Sequence, residues 1–245
     1  MEYKKSPTAA VIVIGNEILS GQTQDLNINY IAEKLFEKGI SLLEARIIID
    51  DIEVIVRAVN ECRKKYTYVF TTGGIGPTHD DVTTMAIAKV FDLPVQRDTK
   101  AEKLLLEKYP RSLPYTEERL RMADLPQGAH LIQNPISGAP GYFIENVYVL
   151  AGVPNIMQSM FDNLLFHLNR GAQIFRKTIF IPLFESQISR QLRNIQNTFP
   201  DVEIGSYPTW HPDEKSGTHV VVKGHDERKL SEVIDKILNI PKEIS

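Results

Sequence analysis

The residues best suited to chemistry lie in one short segment rich in glycine and aspartate. Residues 71–81 read TTGGIGPTHDD, where three glycines follow an apolar run and precede an amphipathic stretch. Glycines at the start of a helix let backbone amides converge on an anion, and the helix dipole adds positive potential there. The segment is neither a Walker A loop nor a G-x-G-x-x-G fingerprint. We therefore predict that Gly73, Gly74 and Gly76 bind a phosphate.

Two carboxylates stand directly beside these glycines. Asp80 and Asp81 would repel a bare phosphate, so a simple phosphate cradle does not explain them. A bound magnesium ion would explain both aspartates, because Mg²⁺ in proteins is commonly held by one or two carboxylates together with substrate phosphate oxygens. The alternative is that Asp80 only caps the next helix and Asp81 only complements its dipole. The residues by themselves leave both interpretations open.

Further acidic residues follow the first and second predicted strands. Asp50 and Asp51 come directly after the second predicted strand. Open α/β sheets bind their ligands at this position. A helix cap before residues 52–65 would explain Asp51 but leaves Asp50 unexplained. After the first strand, Glu17 stands in a polar loop between two glycines. It could ligate a metal or bind the edge of a ribose or pterin.

Strands and helices alternate over the first two thirds of the chain. Such alternation with short loops predicts an α/β fold, a mostly parallel sheet covered by helices on both faces. The predicted strands are 9–14, 41–49, 68–72 and 147–150, and the predicted helices are 27–38, 52–65, 80–91 and 155–169. Residues 98–125 are predicted to be helical and broken by Pro110 and Pro114. Strands at 130–133 and 141–145 flank the turn-rich segment NPISGAPG, residues 134–141.

After Gly171 the pattern changes to a smaller α+β unit. Its order is β-α-β-β-α, with segments 177–183, 185–198, 202–206, 218–223 and 226–238. We therefore predict two domains, 1–172 and 173–245, joined by a linker within 169–176.

Composition excludes several classes of protein. Of the 245 residues, 42% are apolar and 24% charged, which excludes a disordered chain. The net charge of −3 gives no general basic field, so nucleic acid is an unlikely partner. No run approaches the roughly 18 apolar residues that cross a bilayer. The single cysteine, Cys62, allows no internal disulfide. We expect a cytoplasmic protein with no membrane partner.

Several motifs together carry a resemblance to a known family. They are GNEIL-SGQ, DLNINYIAEKL, TTGGIGPTHDDVT, TEERLRMA, NPISGAPG and GVPNIM, in order over residues 8–170. This set resembles the MoaB/Mog molybdopterin-binding domain, in the variety found at the N-terminus of competence/damage-inducible protein CinA and in eukaryotic FAD synthases. The C-terminal unit resembles the KH-like module that follows the domain in CinA. The resemblance implies a three-layer sandwich with a KH-like appendage.

The resemblance also implies function, by two branches. The molybdenum-cofactor branch binds molybdopterin and adenylylates it with Mg·ATP, using aspartates that Asp50 and Asp81 match. The CinA-like branch hydrolyses nucleotide diphosphates such as ADP-ribose or FAD with a divalent metal. Both need a phosphoanhydride, a metal (Mg²⁺, Mn²⁺ or Co²⁺) and a glycine-lined anion site. The family also suggests a homo-oligomer.

These expectations define one candidate site. We take Asp50 and Asp81 as catalytic, and both with Asp80 as metal ligands. The expected phosphate- or nucleotide-binding residues are Gly73, Gly74, Gly76, Thr78, Asn134, Ser137, Gly138, Gly141 and Glu17. The first hypothesis is a metal-dependent nucleotide pyrophosphatase. The alternatives are a molybdopterin adenylyltransferase and a non-catalytic pterin- or nucleotide-binding protein.

Overall fold

A computed structural model describes residues 6–108, 116–210 and 216–244 of the chain, and it divides the chain into two units. Unit 1 spans Met1–Gly171 and unit 2 spans Ala172–Ser245. Within the described residues, no helix is long and apolar enough to cross a membrane.

Unit 1 is built around a six-stranded sheet. Its elements are β1 (Thr8–Ile14), α1 (Asn16–Leu19), α2 (Asn27–Glu37), β2 (Ser41–Ile48), α3 (Ile52–Lys65), β3 (Tyr68–Thr72), α4 (Thr83–Phe91), β4 (Val95–Arg97), α5 (Thr99–Glu107), α6 (Glu117–Leu120), a 3₁₀ turn (Arg121–Ala123), β5 (Asp124–Pro126), β6 (His130–Ile132), β7 (Gly141–Ile144), β8 (Val147–Leu150) and α7 (Pro154–Leu165). The strand order is β2-β1-β3-β8-β7-β6. The first four strands in this order are mutually parallel. β7 pairs antiparallel with β8, and β6 pairs antiparallel with β7.

The sheet separates two apolar cores. Alternate residues of β1 face opposite sides, so Ile12 packs towards α3 and α4 while Val11 packs towards α2 and α7. All five residues of β3 are buried, as expected for a central parallel strand. The predicted α/β fold, with a mostly parallel sheet between two helical layers, is confirmed.

Three predictions about local structure were wrong. The helix expected from residue 80 begins at Thr83, with Val82 at its N-cap. The helical stretch expected over 98–125 is instead α5, α6, the 3₁₀ turn and β5, which pairs with β4. Pro110 and Pro114 lie outside the described residues. The loop expected after β1 contains the single-turn helix α1. Three- and four-residue elements are too short to produce a readable periodicity.

Unit 2 is a small α+β fold. It comprises β9 (Phe175–Ile181), α8 (Glu185–Thr198), β10 (Glu203–Thr209), β11 (Gly217–Gly224) and α9 (Glu227–Ile244). The strands form an antiparallel sheet in the order β10-β11-β9. Ile188, Val220 and Val233 are fully buried and belong to one core that joins both helices to this sheet. The predicted β-α-β-β-α order is confirmed.

Candidate functional site

A cavity of about 510 Å³ opens at the carboxyl ends of β1, β3 and β8 in unit 1. This size suits a small organic ligand. The predicted residues that line it are Glu17, Asp50, Gly73, Gly74, Gly76, Thr78, Asp80, Asp81, Asn134 and Ser137. The strand ends therefore bring together predicted residues from four separate loops. The fold gathers them because parallel strands deliver their following loops to the same edge of a sheet.

The turn after β3 requires glycine for its backbone conformation. Gly73 and Gly74 have φ values of +100° and +67°, in the region that other residues rarely adopt. A side chain on Gly73 would also collide with the carbonyl oxygen of Ile14. Thr83, buried at the start of α4, fixes the turn: its Oγ1 donates to the Gly73 carbonyl (2.9 Å) and its amide to the Gly74 carbonyl (3.0 Å).

The three glycine amides are not equivalent. The Gly73 amide donates to the carbonyl of Leu150 at 3.1 Å, which extends the β3–β8 ladder by one bond. It is therefore not free to bind a phosphate, and the expectation that all three amides act together was wrong in this respect. The amides of Gly74 and Gly76 have no acceptor among the described residues. These two can point their N–H groups at an incoming anion.

Asp81 is held by the turn that precedes it. Its Oδ2 accepts from the backbone amide of Thr78 (2.8 Å) and from the Thr78 hydroxyl (2.5 Å), so Oδ1 keeps its capacity to bind a ligand. The carboxylate lies against Gly76, where a Cβ atom would come within 2.6 Å of Oδ2. Because α4 begins only at Thr83, the alternative that Asp80 merely caps this helix was wrong. The pKa of Asp80 is lowered, chiefly by the nearby Thr78 side chain and then by hydrogen bonding to its own backbone amide, so its carboxylate is ionised at neutral pH.

Asp50 lies in a different electrostatic environment. Its Oδ2 accepts from the amide of Asn16 at 2.8 Å. Burial raises the pKa of Asp50, and repulsion from Glu17, Asp80 and Asp81 raises it further. The other three carboxylates therefore act on Asp50 across the cavity. Perturbed acidic groups of this kind are typical of functional sites.

The neighbouring Asp51 has a structural role. Its Oδ1 accepts from the Val54 amide at 3.0 Å, which caps α3. The cap interpretation of Asp51 is confirmed, and this residue does not line the cavity.

Asn134 organises the loop on the opposite wall. Its Nδ2 donates to the Ser137 hydroxyl (2.6 Å) and to the Ala139 carbonyl (2.8 Å), while its Oδ1 accepts from the amides of Ile136 and Ser137 (both 3.1 Å). The side chain is 6% exposed and uses both ends of its amide within its own loop. Asn134 therefore shapes the wall, whereas the Ser137 hydroxyl keeps its hydrogen to donate to a ligand.

Gly138 and Gly141 do not line the cavity. A Cβ atom on Gly138, whose φ is +81°, would come within 2.7 Å of the Leu104 carbonyl oxygen. One on Gly141 would collide with Val149 and Met160. Packing explains both glycines, and neither is placed where it would contact a nucleotide in the cavity.

Sequence reasoning missed the apolar walls and one buried support. Ile75, Met122, Val153 and Ile156 line the cavity beside the polar groups. Asn27 is buried, and its Nδ2 donates to the carbonyl of Gly152 at 2.8 Å. In the sequence, Asn27 stands at the start of an amphipathic helix, where an asparagine is ordinary and suggests no further role. Only the three-dimensional contact reveals that it holds the loop after β8.

The cavity is strongly acidic. None of the described residues that line it is Lys, Arg or His. Within residues 6–108, 116–210 and 216–244, no three His, Cys, Asp or Glu side chains are grouped closely enough to hold a metal ion. The predicted metal ligands Asp50, Asp80 and Asp81 therefore do not form such a group. A cation here would therefore take part of its coordination from a ligand or from water, as Mg²⁺ commonly does.

Comparison with known proteins identifies the class that this fold and site define. Residues 10–170 match the family model described as "probable molybdopterin binding domain". The chain belongs to this family. Residues 173–244 match a second model, "FAD synthase, middle domain". The predicted resemblance to MoaB/Mog domains, to CinA and to FAD synthases is confirmed.

Individual relatives cover different parts of the chain. A protein from Archaeoglobus fulgidus is 34% identical over 239 residues, 94% of this chain and 97% of its own length. A probable FAD synthase from Caenorhabditis briggsae is 32% identical over 82% of this chain. The chain spans only 43% of the length of that relative. The crystal structure of CinA from Thermoplasma acidophilum, a protein of unknown function, is 31% identical with a TM-score of 0.62. It covers 66% of this chain and 98% of its own.

Proposed function

We propose that the protein binds a phosphorylated nucleotide or pterin in this cavity. We further propose that it hydrolyses the phosphoanhydride of a nucleotide diphosphate such as ADP-ribose or FAD, with a divalent cation. The observation that carries the proposal is the pairing of two backbone amides, which have no acceptor in the described part of the chain, with a carboxylate-rich wall whose described residues include no basic side chain. Such a wall can accept a diphosphate only if a cation neutralises part of the charge.

The carboxylates fit a hard divalent cation. Asp50 and Asp81 each have one oxygen engaged by a backbone amide and one oxygen available, and the ionised Asp80 lines the same cavity. Oxygen ligands of this kind suit Mg²⁺ or Mn²⁺. When bound, the cation would polarise the anhydride and lower the pKa of a coordinated water. The pKa of Asp50 is raised by burial and, to a lesser extent, by the neighbouring carboxylates, and the charge of the cation would offset both effects.

The remaining residues bind and orient the substrate. The Gly74 and Gly76 amides would donate to one phosphate, and the Ser137 hydroxyl to the other. Thr78 serves chiefly to hold Asp81, since both its amide and its hydroxyl donate to that carboxylate. The apolar walls at Ile75, Met122 and Ile156 would cover the face of a base, flavin or pterin ring.

The relatives support a nucleotide substrate. The C-terminal unit matches the middle domain of FAD synthase, and the worm relatives named probable FAD synthase align with 82% of this chain. Since the chain spans less than half of those relatives, the activity of the whole worm proteins is not transferred to it.

Product analysis tests the proposal. Purified protein is incubated with ADP-ribose, FAD or ATP, the ATP with and without molybdopterin, each with Mg²⁺, Mn²⁺ or Co²⁺ or with EDTA. We expect release of AMP from ADP-ribose or FAD with metal and none with EDTA. The absence of AMP with every metal would overturn the hydrolase proposal. Adenylylated molybdopterin from ATP would establish the transferase alternative, and tight binding without either product the non-catalytic one.

A further inference from the structure

A second, smaller cavity of about 90 Å³ lies directly beside the candidate site in unit 1. Ile75, Gly76, Asp81 and Met122 line both cavities, so these residues lie between the two. The smaller cavity has room for several water molecules or for one phosphate group, but not for a base or a flavin ring. A group bound there would therefore contact residues that also face the proposed diphosphate.

The smaller cavity contains a basic side chain, which the larger one lacks among its described residues. Arg121 lines it, at the start of the 3₁₀ turn that follows α6. The other end of this turn is anchored, because Ala123 is buried and its carbonyl accepts from the Asp98 amide at 2.9 Å. Met122, between the two, faces both cavities. The local fold thus fixes the backbone that carries Arg121 next to Asp81.

Arg121 is available to a ligand, whereas the nearby Arg97 is not. The guanidinium of Arg97 donates to Asp124 and to Glu117, so the charge of Asp124, which also lines the smaller cavity, is already balanced. Arg121 is exposed, and no hydrogen bond or ion pair joins its guanidinium to another described residue. The pKa of Glu118 is lowered mainly by a hydrogen bond to its own backbone amide, and the charge of Arg121 contributes less.

Two further groups can donate to an anion in this cavity. The Gly76 amide has no acceptor among the described residues. The Thr84 Oγ1 accepts from the buried hydroxyl of Tyr142 at 3.3 Å, so the threonine keeps its own hydrogen to donate. Guanidinium, amide and hydroxyl donors together are well suited to phosphate oxygens. Asp81 opposes an anion here, and the cation proposed at its free oxygen would offset that charge.

We propose that the smaller cavity is the subsite for the departing phosphate of the diphosphate, and that Arg121 binds this phosphate. The inference rests on the hydrolysis proposed for the larger cavity. In that reaction water adds to one phosphorus, the bridging P–O bond breaks, and the bridging oxygen leaves with the other phosphate. The two protons of the water pass to solvent. The departing phosphate becomes a monoester and gains about one negative charge at neutral pH, which a bidentate guanidinium stabilises.

Binding of inorganic phosphate tests the subsite without turnover. Isothermal titration calorimetry of the full chain in Mg²⁺ should show phosphate binding to the wild type and at least about tenfold weaker binding to Arg121→Gln. Arg57→Gln is the matched control, because Arg57 is exposed on α3 and lines neither cavity. It should bind phosphate as the wild type does. A wild type that binds no phosphate, equal affinity in Arg121→Gln, or an equal loss in both variants would overturn the proposal.

Turnover gives a second readout and separates this proposal from the proposed hydrolysis. With ADP-ribose and metal, kcat for AMP release should fall about 100-fold in Arg121→Gln. It should fall about tenfold in Arg121→Lys, which keeps the charge but loses the two-pronged geometry. Equal activity in Arg121→Gln and Arg57→Gln would overturn the role in cleavage. If the wild type releases no AMP but binds phosphate through Arg121, the proposed hydrolysis fails and the phosphate subsite stands.

Discussion

The two loops that face each other across the cavity use their polar groups in opposite ways. In the loop after β3, residues 73–81, the Gly74 and Gly76 amides and one oxygen of Asp81 have no partner among the residues that the structure describes. In the loop of residues 134–140, the Asn134 side chain makes four hydrogen bonds within its own loop. The first loop is therefore suited to binding and the second to support. Equal proximity to a cavity does not imply an equal role.

The largest expected effect is the loss of activity when the first loop loses a carboxylate. Asp81→Asn should lower AMP release from ADP-ribose or FAD by about 100- to 1,000-fold, because the substitution removes a charge from the proposed metal-binding carboxylates. The asparagine oxygen can still accept from Thr78, so the loop should stay folded. Steady-state kinetics with unchanged circular dichroism would check this result.

Asp51→Asn is the matched control for that variant. It removes the same charge from a strand end, but at a helix cap outside the cavity. Its activity should stay within about twofold of the wild type, since no reacting group is touched. Equal losses in the two variants would show that general electrostatics, not the site, governs the rate.

Substitutions in the supporting loop, residues 134–140, should lower the stability of unit 1. Asn134→Ala leaves several polar groups around a buried position without partners, and we expect the free energy of unfolding of unit 1 to fall by about 2–3 kcal/mol. Ser137→Ala removes only one of those bonds and should cost about 1 kcal/mol. Urea denaturation followed by circular dichroism measures both values. If Asn134→Ala were as stable as the wild type, the distinction between the loops would fail.

The close approach of Gly76 to Asp81 offers a subtler test. Gly76→Ala places a Cβ atom 2.6 Å from Oδ2 and should displace the carboxylate. We expect turnover to fall about tenfold, as for a small misplacement of a positioned group. In the Asp81→Asn background the same change should have little further effect on turnover, because the two residues act through one contact. Additive losses would place the role of Gly76 elsewhere.

The smallest effect concerns Asp50 and pH. Its pKa is raised in the folded state, so its contribution to stability is present at low pH and is lost as pH rises through the folded pKa. Asp50→Asn keeps a neutral side chain throughout. At pH 7 it should raise the melting temperature by about 1–3 °C, and the difference should shrink on acidification. Differential scanning calorimetry from pH 4 to 8 measures it, and a lower melting temperature at pH 7 would contradict the assignment.

The sequence predicted the sheet, the second unit and most of the residues in the cavity because these depend on regular patterns. Alternation of β1 and β3 with amphipathic helices defines a parallel sheet, and the topology then brings their loops together. The role of each residue could not be predicted in the same way. Gly73 looks like Gly74 in the sequence, and only the position of Leu150 shows that its amide is occupied.

The same limit applies to the residues that support the site. Asn134 stands in a turn-rich segment, where an asparagine suggests a ligand contact and a turn equally well. The contact of Asn27 with Gly152 joins residues 125 positions apart, so no local pattern contains it. Gly141 is required by Val149 and Met160, which pack against it from other elements.

The central claim is that this acidic cavity binds a diphosphate only together with a divalent cation. Isothermal titration calorimetry with α,β-methylene-ADP, whose bridging carbon resists hydrolysis, tests it without turnover. We predict binding to the wild-type protein in Mg²⁺ or Mn²⁺, at least about tenfold weaker binding in EDTA, and loss of the metal dependence in Asp50→Asn/Asp81→Asn. Equal affinity with and without metal would contradict the account.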